Sequence, residues 1–225
     1  MEKLGLNKKL IIFDLDGTLI DSTKQIVSAV DAARAKLKLP NANPEFLESK
    51  IGLPAKELFS DLELNTEDTD NAVAIFREHL KIIRINQSDV FESVFELLSS
   101  LKKMDLILSV ATNKPTDLAK IALANVELLD FFDLVLGSDN LMPKPDPAIL
   151  NYCLMHFGVE AAQAVMLGDR VEDMRAAHSA GVSGVGILQG THKISELIDA
   201  GANRVFSNIS EILVLVNKGW DFADL

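Results

Sequence analysis

The sequence contains one cysteine, Cys153, in 225 residues. No intramolecular disulfide can form, and the chain fits a reducing compartment. Cys153 lies inside an apolar helical run, where it reads as a small core residue rather than a nucleophile. Basic residues are also scarce: 22 Lys and Arg stand against 33 Asp and Glu, a formal net charge of −11. That field disfavours nonspecific binding to nucleic acid or an anionic membrane. It leaves room for an anionic substrate, because a local lysine and a metal can outweigh the global charge. His79, His156, His178 and His192 are scattered and make no ligand pair at helical spacing. No window approaches the apolar length of a membrane span, and Met1 to Lys9 shows no apolar stretch before a cleavage site. Repeats and low-complexity segments are absent. The expectation is a soluble cytoplasmic protein, monomer or homodimer, with no nucleic-acid or membrane partner.

What is present is hydrophobic: 48% of the residues are apolar, enough for a substantial core. The run Leu10-Ile11-Ile12-Phe13 ends abruptly in Asp14-Leu15-Asp16-Gly17-Thr18. An apolar run of that length, bounded by turn residues, reads as a buried strand of a parallel sheet. From Asp21 to Ile85 only helical spacing is found: Asp21-Ser22 looks like a helix start, and further helices are predicted over 44–50, 54–62 and 66–85. After Asn86 a helix over 90–103 leads into strand 106–112. Strand and helix then alternate through strands 132–137, 164–168, 184–188 and 204–206. Alternation of this kind predicts an α/β fold, a doubly wound parallel sheet with helices on both faces. The all-helical block, placed at 18–85, interrupts it as an inserted cap, leaving 1–17 and 86–225 as the core.

Four predicted strand ends finish in polar residues: Asp14-Leu15-Asp16-Gly17-Thr18, Thr112-Asn113-Lys114, Lys144-Pro145-Asp146-Pro147 and Gly168-Asp169-Arg170-Val171-Glu172-Asp173. Ligands in open α/β sheets collect beyond such ends. Each segment has a blander reading. Asp-Leu-Asp-Gly could open a calcium loop, but Leu19 holds the position that loop needs for glycine. Thr112-Asn113 and Asp169 suit helix caps, Asp173 suits a helix first turn, and Lys144 could be a solvated loop lysine. Their combination argues for a site.

Together, in this order, the four segments resemble the motifs of the haloacid dehalogenase-like hydrolase superfamily. With Ile51-Gly52-Leu53-Pro54, the first resembles the phosphoglycolate phosphatase-like branch. The resemblance implies a Mg²⁺-dependent phosphatase acting on a small phosphorylated metabolite. It makes Asp14 the nucleophile that forms an aspartyl-phosphate, and Asp16 the general acid and base, binding metal through its backbone carbonyl. Thr112, Asn113 and Lys144 would bind the phosphoryl group, with Thr112 and Lys144 counted as catalytic. Asp14, Asp16, Asp169 and Asp173 would serve the metal, Asp173 through water or by orienting Lys144. In the cap, Lys50, Lys56 and Arg84 could reach a second anionic group, and Lys56 is favoured because it follows Gly52-Leu53-Pro54. Asp16 disfavours a dehalogenase. A phosphomutase of the β-phosphoglucomutase type, an inorganic pyrophosphatase and a non-catalytic phospho-ligand module remain alternatives. Three positions depart from the family pattern: Arg170 for Ser or Thr, Ser88-Asp89-Val90 for a Pro-Gly segment, and Asp105 for glycine.

Overall fold

A computed structural model describes residues 8–222 and 224–225. Residues 1–7, on which most of the N-terminal reading falls, lie outside the described residues. The order of elements is β1 (Leu10–Phe13), α1 (Thr23–Lys36), α2 (Pro44–Lys50), α3 (Thr66–Ile82), α4 (Val94–Lys103), β2 (Ile107–Ala111), α5 (Thr116–Asn125) and β3 (Leu134–Leu136). Next come α6 (Ala148–Phe157), β4 (Ala164–Gly168), α7 (Val171–Ala180), β5 (Ser183–Ile187), α8 (Ile194–Asp199), β6 (Ala202–Phe206) and α9 (Ile209–Asn217). Four short 3₁₀ turns connect them.

All six strands are parallel, in the order β3-β2-β1-β4-β5-β6. The chain runs outward from β1 through β2 and β3, then returns to the other side of β1 at β4. The crevice between β1 and β4 is therefore the point where the winding reverses. β1 shows why a strand here must be apolar throughout. Ile11 and Phe13 pack on one face with Leu97, Leu98, Leu123 and Ile212 of α4, α5 and α9. Leu10 and Ile12 pack on the other face with Ile149, Leu150, Ala176 and Ala177 of α6 and α7. Cys153 is buried in that second layer, as its apolar run implies.

The helices between β1 and β2 hold a separate apolar cluster, in which Ile26, Val30 and Ala33 of α1 meet Leu47, Leu58, Phe59 and Phe76. Two predicted helices are shorter than their apolar spacing suggested. The segment after Pro54 makes only a 3₁₀ turn, Ala55–Phe59. The segment from Val90 starts its helix at Val94, because its first residues pair elsewhere: Val90 bridges Ile20, and the Phe91 N–H donates to the Leu19 carbonyl at 3.1 Å. A backbone committed to the strand exit cannot also begin a helix. Asp105, where glycine is customary, has φ +57°, a conformation that Asp tolerates better than most residues. Among the described residues no helix is long and apolar enough to cross a membrane.

Candidate active site

The sheet delivers its chemistry at the carboxyl ends of β1, β2 and β4. β1 stops at Phe13, and the Asp14 N–H still donates to the Leu167 carbonyl of β4, at 2.9 Å. The Asp14 carboxylate is thereby set over the β1–β4 crevice. The chain then turns sharply at Gly17, with φ +88°, where an added Cβ would lie 2.5 Å from an Asp169 carboxylate oxygen. Only glycine permits both the left-handed backbone and that approach. Thr18, just past the turn, donates its hydroxyl to Asp169 Oδ1 at 2.7 Å.

Lys144 stands at the centre of the acids. Its Nζ donates to Asp14 Oδ1 at 2.7 Å, to Asp173 Oδ1 at 2.6 Å and to the Ala111 carbonyl at 2.8 Å. All three ammonium hydrogens are used, and the side chain is 1% exposed. The solvated-loop reading of this lysine is therefore excluded. Burial alone would lower the Lys144 pKa, but the charges of Asp14 and Asp173 outweigh that and raise it. Asp173 works twice, because its Oδ2 also accepts the Arg170 N–H at 3.0 Å, closing the start of α7.

The acids outnumber this cation. Asp14, Asp169 and Asp173 are all buried, with ligand oxygens within 4.8 Å of one another. Burial, joined by repulsion from Asp173 and Asp16 and opposed by Lys144, pushes the Asp14 pKa up to about 6. Burial and the charges of Asp14 and Asp173 hold Asp169 well above the usual carboxylate range. A cluster of this kind is short of positive charge, and oxygen-only donors suit a hard divalent cation.

Asp16 lies outside that cluster. Its side chain turns to the helical block, where Oδ1 accepts from the Ser22 hydroxyl at 2.5 Å and Oδ2 accepts from Lys114 Nζ at 2.6 Å; Lys114 also contacts Oδ1. The structure adds two roles here, and the helix start at Asp21-Ser22 holds. Ser22 sits at the start of α1 but makes no capping hydrogen bond; its hydroxyl serves Asp16 instead. Lys114, given no role by sequence reasoning, is the cation that fixes Asp16. The signal was its place directly after Thr112-Asn113, at a strand end in register with β1.

Thr112 and Asn113 do not cap α5, whose N-terminal flank is Pro115. Thr112 is buried, and its Oγ1 accepts the Lys114 N–H at 3.3 Å. Asn113 Oδ1 accepts the Lys144 N–H at 2.8 Å, while Nδ2 donates to the Lys144 carbonyl at 3.2 Å and to the Gly52 carbonyl at 3.0 Å. Its amide thus braces the loop that carries Lys144. Lys56, the lysine favoured by the sequence, is exposed, as is Arg84, and neither lines the cavity that Lys50 shares with Asp16, Lys114, Leu58, Phe76 and Leu80.

Residues 11–187 match the model of the haloacid dehalogenase-like hydrolase family. The chain belongs to that family. Among its relatives, the protein named "Probable phosphatase IndB" of Dickeya dadantii is 34% identical over 92% of both chains. The phosphoglycolate phosphatase of Mannheimia succiniciproducens is 33% identical, over 92% of this chain and 98% of that one. A crystal structure described as a predicted phosphatase from Clostridium acetobutylicum superposes with a TM-score of 0.83 at 28% identity, covering 94% of this chain and 99% of the other.

Proposed function

We propose that the protein is a phosphatase that hydrolyses a small phosphate monoester of the phosphoglycolate type, through an aspartyl-phosphate on Asp14. The observation that carries this reading is the buried Lys144 bridge between Asp14 and Asp173, beside Asp169. A phosphate monoester repels an anionic nucleophile, so carboxylate attack needs fixed positive charge at the phosphoryl oxygens. Lys144 is that charge. The residues also fit Mg²⁺, since three buried acids share one lysine. Asp14, Asp169 and Asp173 would hold the ion, with only the main chain of Asp16 left for it. When bound, the ion neutralises charge on the phosphoryl group.

In the first half-reaction an Asp14 oxygen bonds to phosphorus as the ester bond breaks, and Asp16 gives a proton to the leaving oxygen. In the second, water attacks phosphorus, the bond to Asp14 breaks, and Asp16 takes the water's proton. Ser22 and Lys114 hold the Asp16 carboxylate on the leaving-group side for both steps. Thr112 adds a hydroxyl donor to the phosphoryl group. Both amide hydrogens of Asn113 are already engaged, so its part in phosphate binding falls to its main chain. We take 18–85 as the cap that covers the site and excludes water from the first step, with Lys50 and Lys114 facing the leaving group. The relatives named for phosphoglycolate favour a small anionic leaving group at that place.

A panel of phosphoglycolate, sugar phosphates, nucleoside monophosphates and pyrophosphate, assayed with Mg²⁺ and with a chelator, tests this reading. Selective, Mg²⁺-dependent turnover of one small monoester is expected. Failure to hydrolyse any monoester would overturn it.

A further inference from the structure

The turn that ends α2 brings Lys50 to the wall of the cavity beside Asp16, with its ammonium 5.5 Å over the Phe46 ring and 4.0 Å from Glu57, and the carbonyls of this turn meet the core in an unusual way. A helix leaves its last carbonyls without intrahelical donors. The Ser49 and Ile51 carbonyls are taken by one core side chain: Arg170 Nη2 donates to Ser49 at 3.2 Å and Nη1 donates to Ile51 at 2.6 Å. The third nitrogen, Nε, donates to Glu172 at 3.1 Å. The Arg170 side chain is 7% exposed; its bond to Ile51 is buried, and those to Ser49 and Glu172 are partly so. The next carbonyl, that of Gly52, accepts from Asn113. Gly52 has φ +85°, and a Cβ there would stand 2.6 Å from Arg170 Cδ. The turn and the guanidinium are fitted to each other.

Both core donors belong to catalytic loops. Arg170 follows Asp169 and gives its own N–H to Asp173. Asn113 follows Thr112 and brackets Lys144 through two more bonds. We propose that Arg170 is a positioning residue, a latch that fastens the Ser49–Gly52 turn onto the core and so sets Lys50 against the leaving group. A planar, permanently charged fork suits two carbonyls at once, which the Ser or Thr usual at this position in the family cannot grasp. Substrate entry and product release then require the latch to open. Its kinetic consequence rests on the phosphatase reading; its structural consequence does not.

Amide exchange decides the structural part. In Arg170→Ala the Ile51 and Leu53 amides, bonded to Leu47 and Lys50, should exchange at least about ten-fold faster, while β1 and β4 keep wild-type protection. Arg170→Lys should fall between. Gly52→Ala should raise exchange of the same amides by crowding the guanidinium, and should add less in an Arg170→Ala background than alone. Glu172→Gln, outside the catalytic groups, should give a smaller effect of the same kind. Unchanged exchange at Ile51 and Leu53 in Arg170→Ala would overturn the latch, as would strict additivity with Gly52→Ala. In kinetics, Arg170→Ala should raise KM for the preferred monoester by about ten-fold with little change in the Mg²⁺ activation constant. A fall in kcat with weakened Mg²⁺ activation and unchanged KM would place Arg170 in support of Asp169 instead, and the latch would fail. Wild-type protein inactive on every monoester, with exchange raised in Arg170→Ala, would sink the phosphatase reading and leave the latch standing.

Discussion

The core and the helical block inserted after β1 solve the same problem, holding polar groups still, by different means. In the core, side chains are fixed by other side chains: Lys144 is saturated by two carboxylates and a carbonyl. At the entry to the helical block, Thr18 grips Asp169, and Ser22 joins Lys114 of the core in gripping Asp16. In the helical block, the turn facing the site is fixed through its backbone, by donors that the core supplies. Its own apolar cluster shapes the helices and takes in the Ile51 side chain, leaving the turn's carbonyls to the core donors. Within that turn Gly52 and Ile51 are constrained, by the Arg170 side chain and by the apolar cluster, and the exposed Ser49 is the position left free to vary. On the proposed reading, chemistry and specificity sit on opposite sides of Asp16.

The largest test of this division is Asp14→Asn. Phosphatase activity should fall by at least about 10³-fold. Thermal stability of the metal-free protein should hold or rise, because the ionised acid is disfavoured by burial and neighbouring acids. Undiminished turnover would remove Asp14 as the nucleophile. Lys144→Ala should lose both properties at once. It strands buried carboxylates without their cation, a change that costs about 3–5 kcal/mol when a buried pair is broken, and thermal denaturation with an activity assay would show it. Stability near wild type in that variant would mean the acids are wetter than their burial implies.

On the cap side, Lys50→Ala should raise KM for the preferred monoester by about ten-fold, a typical loss for one charged contact, with kcat largely kept. Lys56→Ala should change neither, since its side chain is exposed away from the cavity. The reverse ranking in steady-state kinetics would restore Lys56 as the substrate-facing lysine. The smallest effect concerns pH. With the Asp14 pKa raised to about 6, protons compete with a cation below that value, and the competition fades as pH rises through it. The rise in Tm produced by Mg²⁺ should therefore be larger at pH 7.5 than at pH 5. An equal rise at both would separate Asp14 from the metal.

Much of this was legible in the residues. The Leu10–Phe13 run and its abrupt acids placed β1 and the site, because a strand buried on both faces must be apolar and can turn polar only where it leaves the sheet. Alternating strands and helices after residue 86 gave the parallel core for the same reason. Boundaries were lost where backbone groups found distant partners, as at Val90 and Phe91, since local spacing carries no record of such bonds. Lys114, Ser22 and Arg170 escaped assignment because each has an ordinary local reading. Their partners, Asp16 and the Ser49 and Ile51 carbonyls, lie far away in sequence or across a turn.

Sequence alone singled out the candidate reaction centre: Asp14, Asp16 and Asp169 follow strands that hydrophobic patterning announces, and Lys144, in the loop after β3, came with the order of the motifs. Tertiary structure alone decided which cations serve which acids, and which lysine of the helical block lines the cavity. Ion pairs and carbonyl contacts depend on distances of a few ångströms between segments that only folding brings together.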